Sequence, residues 1–403
     1  MNTRPLIDFL ISGAPGKPRS PDVLAHVSTE LSALGVPVDR TEAFVRTLHP
    51  HIAGRSFVWR PNAPVEIHEQ SYAYLESAAF RASPVGCVFR TGEWERRHLS
   101  ARDSFPDEEA EYLSALAARG YRDVVVAPLR FLTGQTHAIS FATKDARGFS
   151  DEHVDAIASV MPALSRIAEI LALSRTAANL LNTYVGHGAG ERILAGKIVR
   201  GDVEPIKAVI WFSDLRNFTT LSATQEPAET IMTLNEVFDC QVPAIERHRG
   251  EVLKFMGDGL LGIIPIREES NAAANACKHA LDAADEAYGA LVSVNAKRVA
   301  RRLAPVRFGL ALHIGEVAYG NIGGAGRLDF TCIGPAVNLA ARIEGLTSKL
   351  DRNVLVSEDF ARASSALAGV REMDLLGEFE LKGVAALQRV YAPGATDDPT
   401  VVP

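Results

Sequence analysis

The chain has 403 residues, a formal net charge of −7 and 47% hydrophobic residues, so its length corresponds to two or three domains rather than one small module. Charged residues make up 23% and aromatic residues 7%, which excludes a disordered chain, a collagen and a coiled-coil fibre. The net negative charge argues against broad nucleic-acid binding, because such a surface needs basic side chains to neutralise phosphates.

The compartment follows from the cysteines and the hydropathy pattern. The 4 cysteines lie far apart and form no C-x-x-C pair, so neither a disulfide framework nor a zinc ribbon is expected. No run of about 18 apolar residues is uninterrupted, which predicts no membrane span. We therefore expect a cytoplasmic protein.

The first part of the chain mixes helical and strand patterns. Apolar residues three and four positions apart predict a helix from Ser20, and a second short helix is expected after Thr41. The apolar runs at 123–131 and 137–143 flank a glycine-containing turn and are typical of a hairpin. Residues 1–150 are therefore predicted to form an α+β domain with a central antiparallel sheet.

This layout resembles a GAF or PAS-type sensor domain, although no diagnostic motif supports the resemblance. It implies an effector site for an unknown small molecule. Some side chains of the region are candidates for a haem or metal site, but no ligand spacing connects them, which favours scattered core and surface residues. These candidates are His49, His51, Cys87, His98 and His137.

A long helix is predicted after Ser150, with an apolar stripe at alternating spacings of three and four residues. The stripe consists of Val154, Ile157, Met161, Leu164, Ala168 and Leu171. It is typical of a coiled coil, but packing on the sheet of the same domain explains it equally well. Pro162 should kink the helix. We assign 151–203 to a signalling helix and connector.

The pattern is clearer from residue 204 onward. Its elements are a strand at 208–214, a helix ending at Gly250, a hairpin at 251–266, a helix at 270–297 and a strand at 306–318. Their order is that of a ferredoxin-like sheet with helices on one face. The predicted domain runs over 204–393 and is followed by a flexible tail at 394–403.

Two aspartates mark the same end of this predicted sheet. Asp214 ends an apolar strand and Asp258 lies in the hairpin turn. Two carboxylates and a backbone carbonyl such as that of Leu215 suit hard divalent cations. Taken singly, each aspartate is explained better by a hairpin turn or a helix cap.

A set of motifs in one order favours a functional role for the two aspartates over a turn or a helix cap. The motifs are FSDLRNFT at 212–219, LKFMGDGLL at 253–261, ALHIGEVAYGNIG at 311–323, DFTCIGPAVNLAARIE at 329–344 and LKGV at 381–384. Together they resemble the class III adenylyl cyclases over Ile206 to Tyr391. The resemblance implies that Asp214 and Asp258 bind two Mg²⁺ or Mn²⁺ ions per active site.

The resemblance also implies how ATP is held. Lys254 falls at the adenine-reading position, while Asn338 and Arg342 fall at positions that stabilise the transition state. Their i, i+4 spacing places both side chains on one helix face. Backbone amides over Asn217, Phe218 and Thr219 are candidates for the β- and γ-phosphates. These three residues are therefore predicted to bind substrate.

The second adenine-reading position holds Thr331 where many relatives have aspartate. This resembles the class IIIb branch, in which bicarbonate stimulates some members. A hydroxyl can accept a hydrogen bond from the adenine amine, so ATP selection is retained. Guanylyl cyclases place Glu at the Lys254 position and commonly Cys at the Thr331 position. This chain has a cysteine one residue later, at Cys332, which should point to the other face of the strand and is assigned to packing.

The implied activity is the conversion of ATP to 3′,5′-cyclic AMP and pyrophosphate, regulated by the N-terminal domain. In this family the active sites lie at a head-to-tail dimer interface, so a homodimer of this chain would hold two complete sites. The alternatives are a catalytically silent nucleotide-binding or effector-binding regulator on the same fold and a guanylyl cyclase.

Overall fold

A computed structural model describes residues 1–50, 52–99, 110–267, 270–367, 369–384 and 386–394. The chain divides into two compact units, Met1–Leu180 and Leu181–Pro403. The candidate ligand His51 and, apart from Gly394, the expected tail at 394–403 lie outside the described residues.

Six strands build the sheet of the first unit. They are β1 (Arg40–Arg46), β2 (Gly54–Trp59), β3 (Glu66–Gln70), β4 (Glu95–His98), β5 (Asp123–Arg130) and β6 (Thr136–Thr143). Every pairing is antiparallel, in the order β3, β2, β1, β6, β5, β4. The expected central antiparallel sheet is confirmed. The short helix expected after Thr41 is wrong, because β1 hydrogen-bonds to strands on both sides.

Helices cover both faces of this sheet. They are α1 (Arg4–Ile11), α2 (Ser20–Ala33), α3 (Tyr72–Glu76), α4 (Ala78–Ala82), α5 (Pro84–Thr91), α6 (Ala110–Ala118) and α7 (Asp151–Val185). α1, α2 and the first half of α7 bury their apolar residues on one face, around Ile139 and Phe141. α4, α5 and α6 bury theirs on the other, around Phe44 and Val124.

Over the first half of α7, the apolar stripe packs inside the first unit. Ile157, Met161 and Leu164 are buried against the sheet of the first unit. Packing within the unit therefore accounts for this part of the stripe. α7 continues through Pro162 as one helix of 35 residues.

Beyond this point α7 presents a second apolar row to solvent. Its large members, Ile170, Leu173, Leu180 and Tyr184, are exposed and keep the alternation of three and four if Ala177 is included. By length and composition α7 is also the one described helix that could cross a membrane. Half of its most apolar stretch is buried inside the protein, as in a core helix.

Eight strands build the sheet of the second unit. They are β7 (Val203–Leu215), β8 (Glu251–Met256), β9 (Gly259–Pro265), β10 (Phe308–Gly324), β11 (Arg327–Ile333), β12 (Val354–Ser357), β13 (Met373–Phe379) and β14 (Gln388–Pro393). Their order is β13, β14, β12, β10, β7, β9, β8, with β11 paired to β10. The antiparallel core β10, β7, β9, β8 has the expected ferredoxin-like order.

Seven helices accompany this sheet. They are α8 (His187–Leu194), α9 (Phe218–Thr224), α10 (Pro227–Arg247), α11 (Ala272–Ala300), α12 (Pro335–Glu344), α13 (Thr347–Leu350) and α14 (Glu358–Ser364). α10, α11 and α14 pack on one face, whereas α8 and α12 pack on the other. The two helices of the expected ferredoxin-like order, α10 and α11, lie on one face as expected, whereas α8 and α12, which lie outside that order, cover the other face. The continuous apolar run in β7 is the signal for burial on both faces, since Ile210 and Trp211 point oppositely and are both buried.

A buried amide holds the end of β7 against α10. Gln241 is 1% exposed, and its Oε1 accepts hydrogen bonds from Trp211 Nε1 at 3.2 Å and from Ser213 Oγ at 2.6 Å. Ser213 immediately precedes Asp214, so this network fixes the strand next to a candidate metal ligand.

Replacing Gln241 by methionine should destabilise the protein by about 2–4 kcal/mol, because two buried donors lose their acceptor. Urea unfolding of the full chain measures the change. The matched control is Gln388→Met, whose amide bonds only to exposed backbone carbonyls and which should change stability by less than about 0.5 kcal/mol. Equal effects of the two substitutions would contradict a role for the buried network.

Candidate active site

Strand pairing brings the two candidate metal aspartates to one edge of the sheet. β7 and β9 pair with Ser213 opposite Leu260, which sets Asp214 beside the β8–β9 turn that carries Asp258. At Gly259 a Cβ atom would lie only 3.3 Å from Asp214 Oδ1 and 3.1 Å from the Ser213 carbonyl. The glycine therefore allows the turn to approach the aspartate closely.

The electrostatics of this edge are unfavourable without a cation. Burial, followed by the charge and hydrogen bonding of Asp258, raises the pKa of Asp214 to about 6, while the Leu215 N–H acts in the opposite sense. Burial together with the charge of Asp214 raises the pKa of Glu344 to about 7. Crowded, partly buried carboxylates of this kind provide the oxygen donors that Mg²⁺ and Mn²⁺ prefer, so the residues fit such ions.

Glu344 is a member of this edge that the sequence did not reveal. It ends α12, and its Oε1 accepts a hydrogen bond from Thr347 Oγ1 at 3.2 Å. A Cβ atom at Gly309 would lie 2.5 Å from the same oxygen, and Gly309 pairs with Asp214 across β10 and β7. The close passage of α12 over Gly309 thus carries a third carboxylate toward the pair.

The segment after the metal strand turns into a short helix. Asn217 adopts the left-handed conformation with φ of 61°, and α9 begins at the next residue. The first helical hydrogen bond runs from the Leu221 N–H to the Asn217 carbonyl, so the N–H groups of Phe218 and Thr219 have no acceptor within the helix. Both amides remain candidates for phosphate oxygens.

The candidate adenine-reading residues occupy neighbouring strands. The ammonium of Lys254 on β8 forms a salt bridge with Asp329 on β11. Asp329 and Thr331 are two residues apart on one strand and therefore share a face. Sequence reasoning missed Asp329, although this alternation was the available signal. Thr331 is buried, and Cys332 is buried among apolar residues on the opposite side of the strand, as expected for a packing residue.

Asn338 and Arg342 line one groove of about 1080 Å³. Lys382, from the LKGV segment after β13, lines the same groove and adds a second cation. Neither Asp214 nor Asp258 is among its lining residues. The groove that Asn338 and Arg342 line is therefore distinct from the edge of the sheet that carries the aspartates.

The histidines and Cys87 of the first unit do not gather. His98 Nδ1 lies 3.4 Å from Asp123, and the Cys87 thiol donates to Glu95 at 3.1 Å. Within the described part of residues 1–150, no three metal-ligating side chains lie close enough together to hold a metal ion. The described residues of this set therefore lie apart from one another.

The second unit is similar in sequence to known nucleotide cyclases. Residues 203–392 match the family model described as the adenylate and guanylate cyclase catalytic domain. Over 160 residues the chain is 34% identical to an adenylate cyclase of Anabaena cylindrica, covering 39% of this chain and 30% of that protein. Over 182 residues it is 32% identical to adenylate cyclase 1 of Rhizobium meliloti, covering 45% and 26%.

Among solved structures, the adenylyl cyclase CyaB from P. aeruginosa is 22% identical, with a TM-score of 0.42, and the match covers 48% of this chain and 97% of that one. The chain spans less than a third of the length of the two curated relatives. By its sequence, the region 203–392 is similar to the adenylate and guanylate cyclase catalytic domain.

Proposed function

We propose that the protein is an adenylyl cyclase that converts ATP to 3′,5′-cyclic AMP and pyrophosphate as a homodimer, in the cytoplasm. The observation that carries the proposal is the division of candidate groups within one domain. The carboxylates lie at one edge of the sheet and the Asn–Arg pair lies in a separate groove, as two halves of a site that a partner chain completes.

The carboxylate half would hold the cations. Asp214, Asp258 and the Leu215 carbonyl offer oxygen ligands, and the raised pKa of Asp214 reports a site that lacks positive charge. Two Mg²⁺ or Mn²⁺ ions, when bound, neutralise phosphate charge and favour ionisation of the ribose 3′-hydroxyl. The amides of Phe218 and Thr219 would donate to the β- and γ-phosphates.

Lys254 and Thr331, the base-reading residues, would distinguish ATP from GTP. Lys254 can donate to adenine N1, and the Thr331 hydroxyl can accept from the adenine amine. Asp329 fixes the position of the Lys254 ammonium through their salt bridge. Thr331 also supports assignment to the class IIIb branch, for which bicarbonate is a candidate effector.

The residues that line the groove, Asn338, Arg342 and Lys382, would act on the reacting phosphate and the ribose. The 3′-oxygen forms a bond to the α-phosphorus while the bond to the pyrophosphate oxygen breaks, and the hydroxyl proton is released. Arg342 would donate to the α-phosphoryl oxygens as their charge changes, and Asn338 would orient the ribose. Lys382 lines the same groove and would bind the phosphates of the leaving group.

The exposed row of α7 supports dimer formation. Ile170, Leu173, Leu180 and Tyr184 present apolar side chains to solvent at coiled-coil spacing. Pairing of this row with a second copy would bury it, whereas the first half of the stripe is already buried in the first unit. The dimer contact is therefore assigned to 170–184 rather than to 154–171.

The first unit would act as a GAF-like or PAS-like sensor that regulates the enzyme. A silent regulator on the cyclase fold would typically have lost at least one of the six positions for metal, base and transition state. All six carry competent residues here, which favours the enzyme. A guanylyl cyclase would require a glutamate in place of Lys254.

The shared site can be tested by complementation. Asp214→Ala and Arg342→Ala should each lower cyclic AMP formation by about a hundredfold or more. An equimolar mixture that exchanges subunits should recover about a quarter of the wild-type rate, because half of the dimers are mixed and each mixed dimer has one intact site.

The control mixture combines Asp214→Ala with Asp258→Ala, which damage the same half-site. It should recover nothing, since every site retains a damaged carboxylate pair. Absence of recovery in the first mixture, with mixed dimers verified by two affinity tags, would rule out sites shared between subunits.

Base selection can be tested by changing both reading positions. Lys254→Glu with Thr331→Cys should lower kcat/KM for ATP by at least about tenfold, because a charged hydrogen bond to the base is lost. The new carboxylate would face Asp329, so the same pair with Asp329→Asn serves as the control for local repulsion. Unchanged ATP kinetics in both variants, with GTP assayed in parallel, would refute the assignment.

The carboxylate pair should make stability depend on pH. The pKa of Asp214 is about 6 in the folded chain, whereas the ordinary value of 3.8 applies to the unfolded chain. Between pH 3.8 and pH 6 the folded chain therefore keeps a proton on Asp214 that the unfolded chain has lost. The stability of the cation-free protein should fall as pH rises from about 4 to 6. Asp214→Asn should therefore stabilise it by about 1–2 kcal/mol at pH 8 but not at pH 4.

Urea unfolding with chelator and with excess Mg²⁺ measures this prediction. Mg²⁺ should stabilise the wild type at pH 8 and have a smaller effect on Asp214→Asn. Asp374→Asn, an exposed change on β13, is the matched control and should be neutral at both pH values. A stability gain for Asp214→Asn that is equal at pH 4 and pH 8 would contradict carboxylate repulsion.

A further inference from the structure

The first unit contains a cavity of about 750 Å³ at one end of its sheet. Its walls come from the ends of β1 and β6, from α5 and from the turn of α7 around Ala172 and Thr176. Phe80, Phe89 and Phe131 supply aromatic surface. This volume lies in the range of pockets that bind small molecules.

One polar atom in this wall has no partner. His137 is 1% exposed, and its Nδ1 accepts the backbone N–H of Arg46 at 3.2 Å. With Nδ1 used as an acceptor, the ring proton of the neutral imidazole is on Nε2. Nε2 is buried and has no hydrogen-bond partner among the described residues.

The imidazole is held as a neutral donor. Burial, with the nearby charge of Arg46, lowers the pKa of His137 to about 4, and the charge of Glu169 opposes this only in part. Phe131 packs against the ring with centroids 4.2 Å apart. The neutral ring therefore forms part of the cavity wall, with its Nε2–H enclosed in the wall.

The charged groups around the cavity favour an anion. Arg46, Arg81 and Arg90 line it, against the single carboxylate of Glu76. In the described part of the chain, none of the three guanidinium groups forms a salt bridge with a carboxylate. Arg46 instead lies over the Phe89 ring at 5.5 Å, and Arg90 donates to backbone carbonyls of Arg81 and Gly86.

We propose that this cavity is a binding site for a small aromatic anion, with its rings against the three phenylalanines and its negative group at Arg46 and Arg81. The site lies in the first unit and is independent of the proposed cyclase chemistry. Nucleotide substrate is not required for it, because no residue of the second unit lines the cavity.

The test uses two fluorescent probes with the same ring system, 8-anilinonaphthalene-1-sulfonate and the uncharged N-phenyl-1-naphthylamine, titrated into the full chain. Arg46→Gln with Arg81→Gln should weaken sulfonate binding about tenfold, from the loss of two partly exposed charge contacts. Affinity for the uncharged probe should change by less than about twofold.

The matched control is Arg4→Gln with Arg119→Gln, which removes two exposed charges of the same unit away from the cavity. It should leave both affinities unchanged. In the wild type, the ¹⁵N resonance of His137 Nε2, assigned by its loss in His137→Phe, should shift on addition of the sulfonate. Sulfonate affinity that is equal in the two double variants, or a His137 resonance that does not move, overturns the proposal.

Discussion

The position of every candidate catalytic group depends on β7, a strand that is hydrogen-bonded on both edges and buried on both faces. β9 and β10 fix its register, so Asp214 must end beside the Asp258 turn on one side and opposite Gly309 on the other. The Gln241 network holds the neighbouring Ser213. The buried strand thus brings carboxylates together, and burial, followed by the charge of Asp258, raises the pKa of Asp214 to about 6. A bound divalent cation would relieve the repulsion and would so link the stability of the domain to the proposed chemistry.

The packing of α12 places its residues in two different regions of the domain. Ala336 and Ala340 are buried against the sheet, which turns Asn338 and Arg342 into the groove and carries Glu344 toward the aspartates. One helix therefore contributes its start and middle to the groove and its end to the carboxylate edge.

Much of the catalytic region was predictable because its signals are local. Strand and hairpin patterns placed Asp214 and Asp258 at one end of the sheet, whereas the choice of Asn338 and Arg342 came from the resemblance to the class III adenylyl cyclases. Asp329, Glu344 and Lys382 were missed, since their roles depend on contacts between elements distant in sequence. The strand at Thr41 was also missed, because pairing on both edges outweighs a weak helical pattern. The GAF-like or PAS-like identity of the first unit stays a prediction.

The helix α7 gives the cavity a physical connection to the proposed dimer contact. Ala172 and Thr176 line the cavity, and Leu173, between them in sequence, lines it and is also a member of the exposed apolar row. The same helical turn therefore belongs to both surfaces. A ligand that fills the cavity must contact this turn, and a shift of a turn moves the side chains three and four residues along with it. If the proposed ligand and dimer contact both form, occupancy of the cavity would bias how the row at 170–184 pairs.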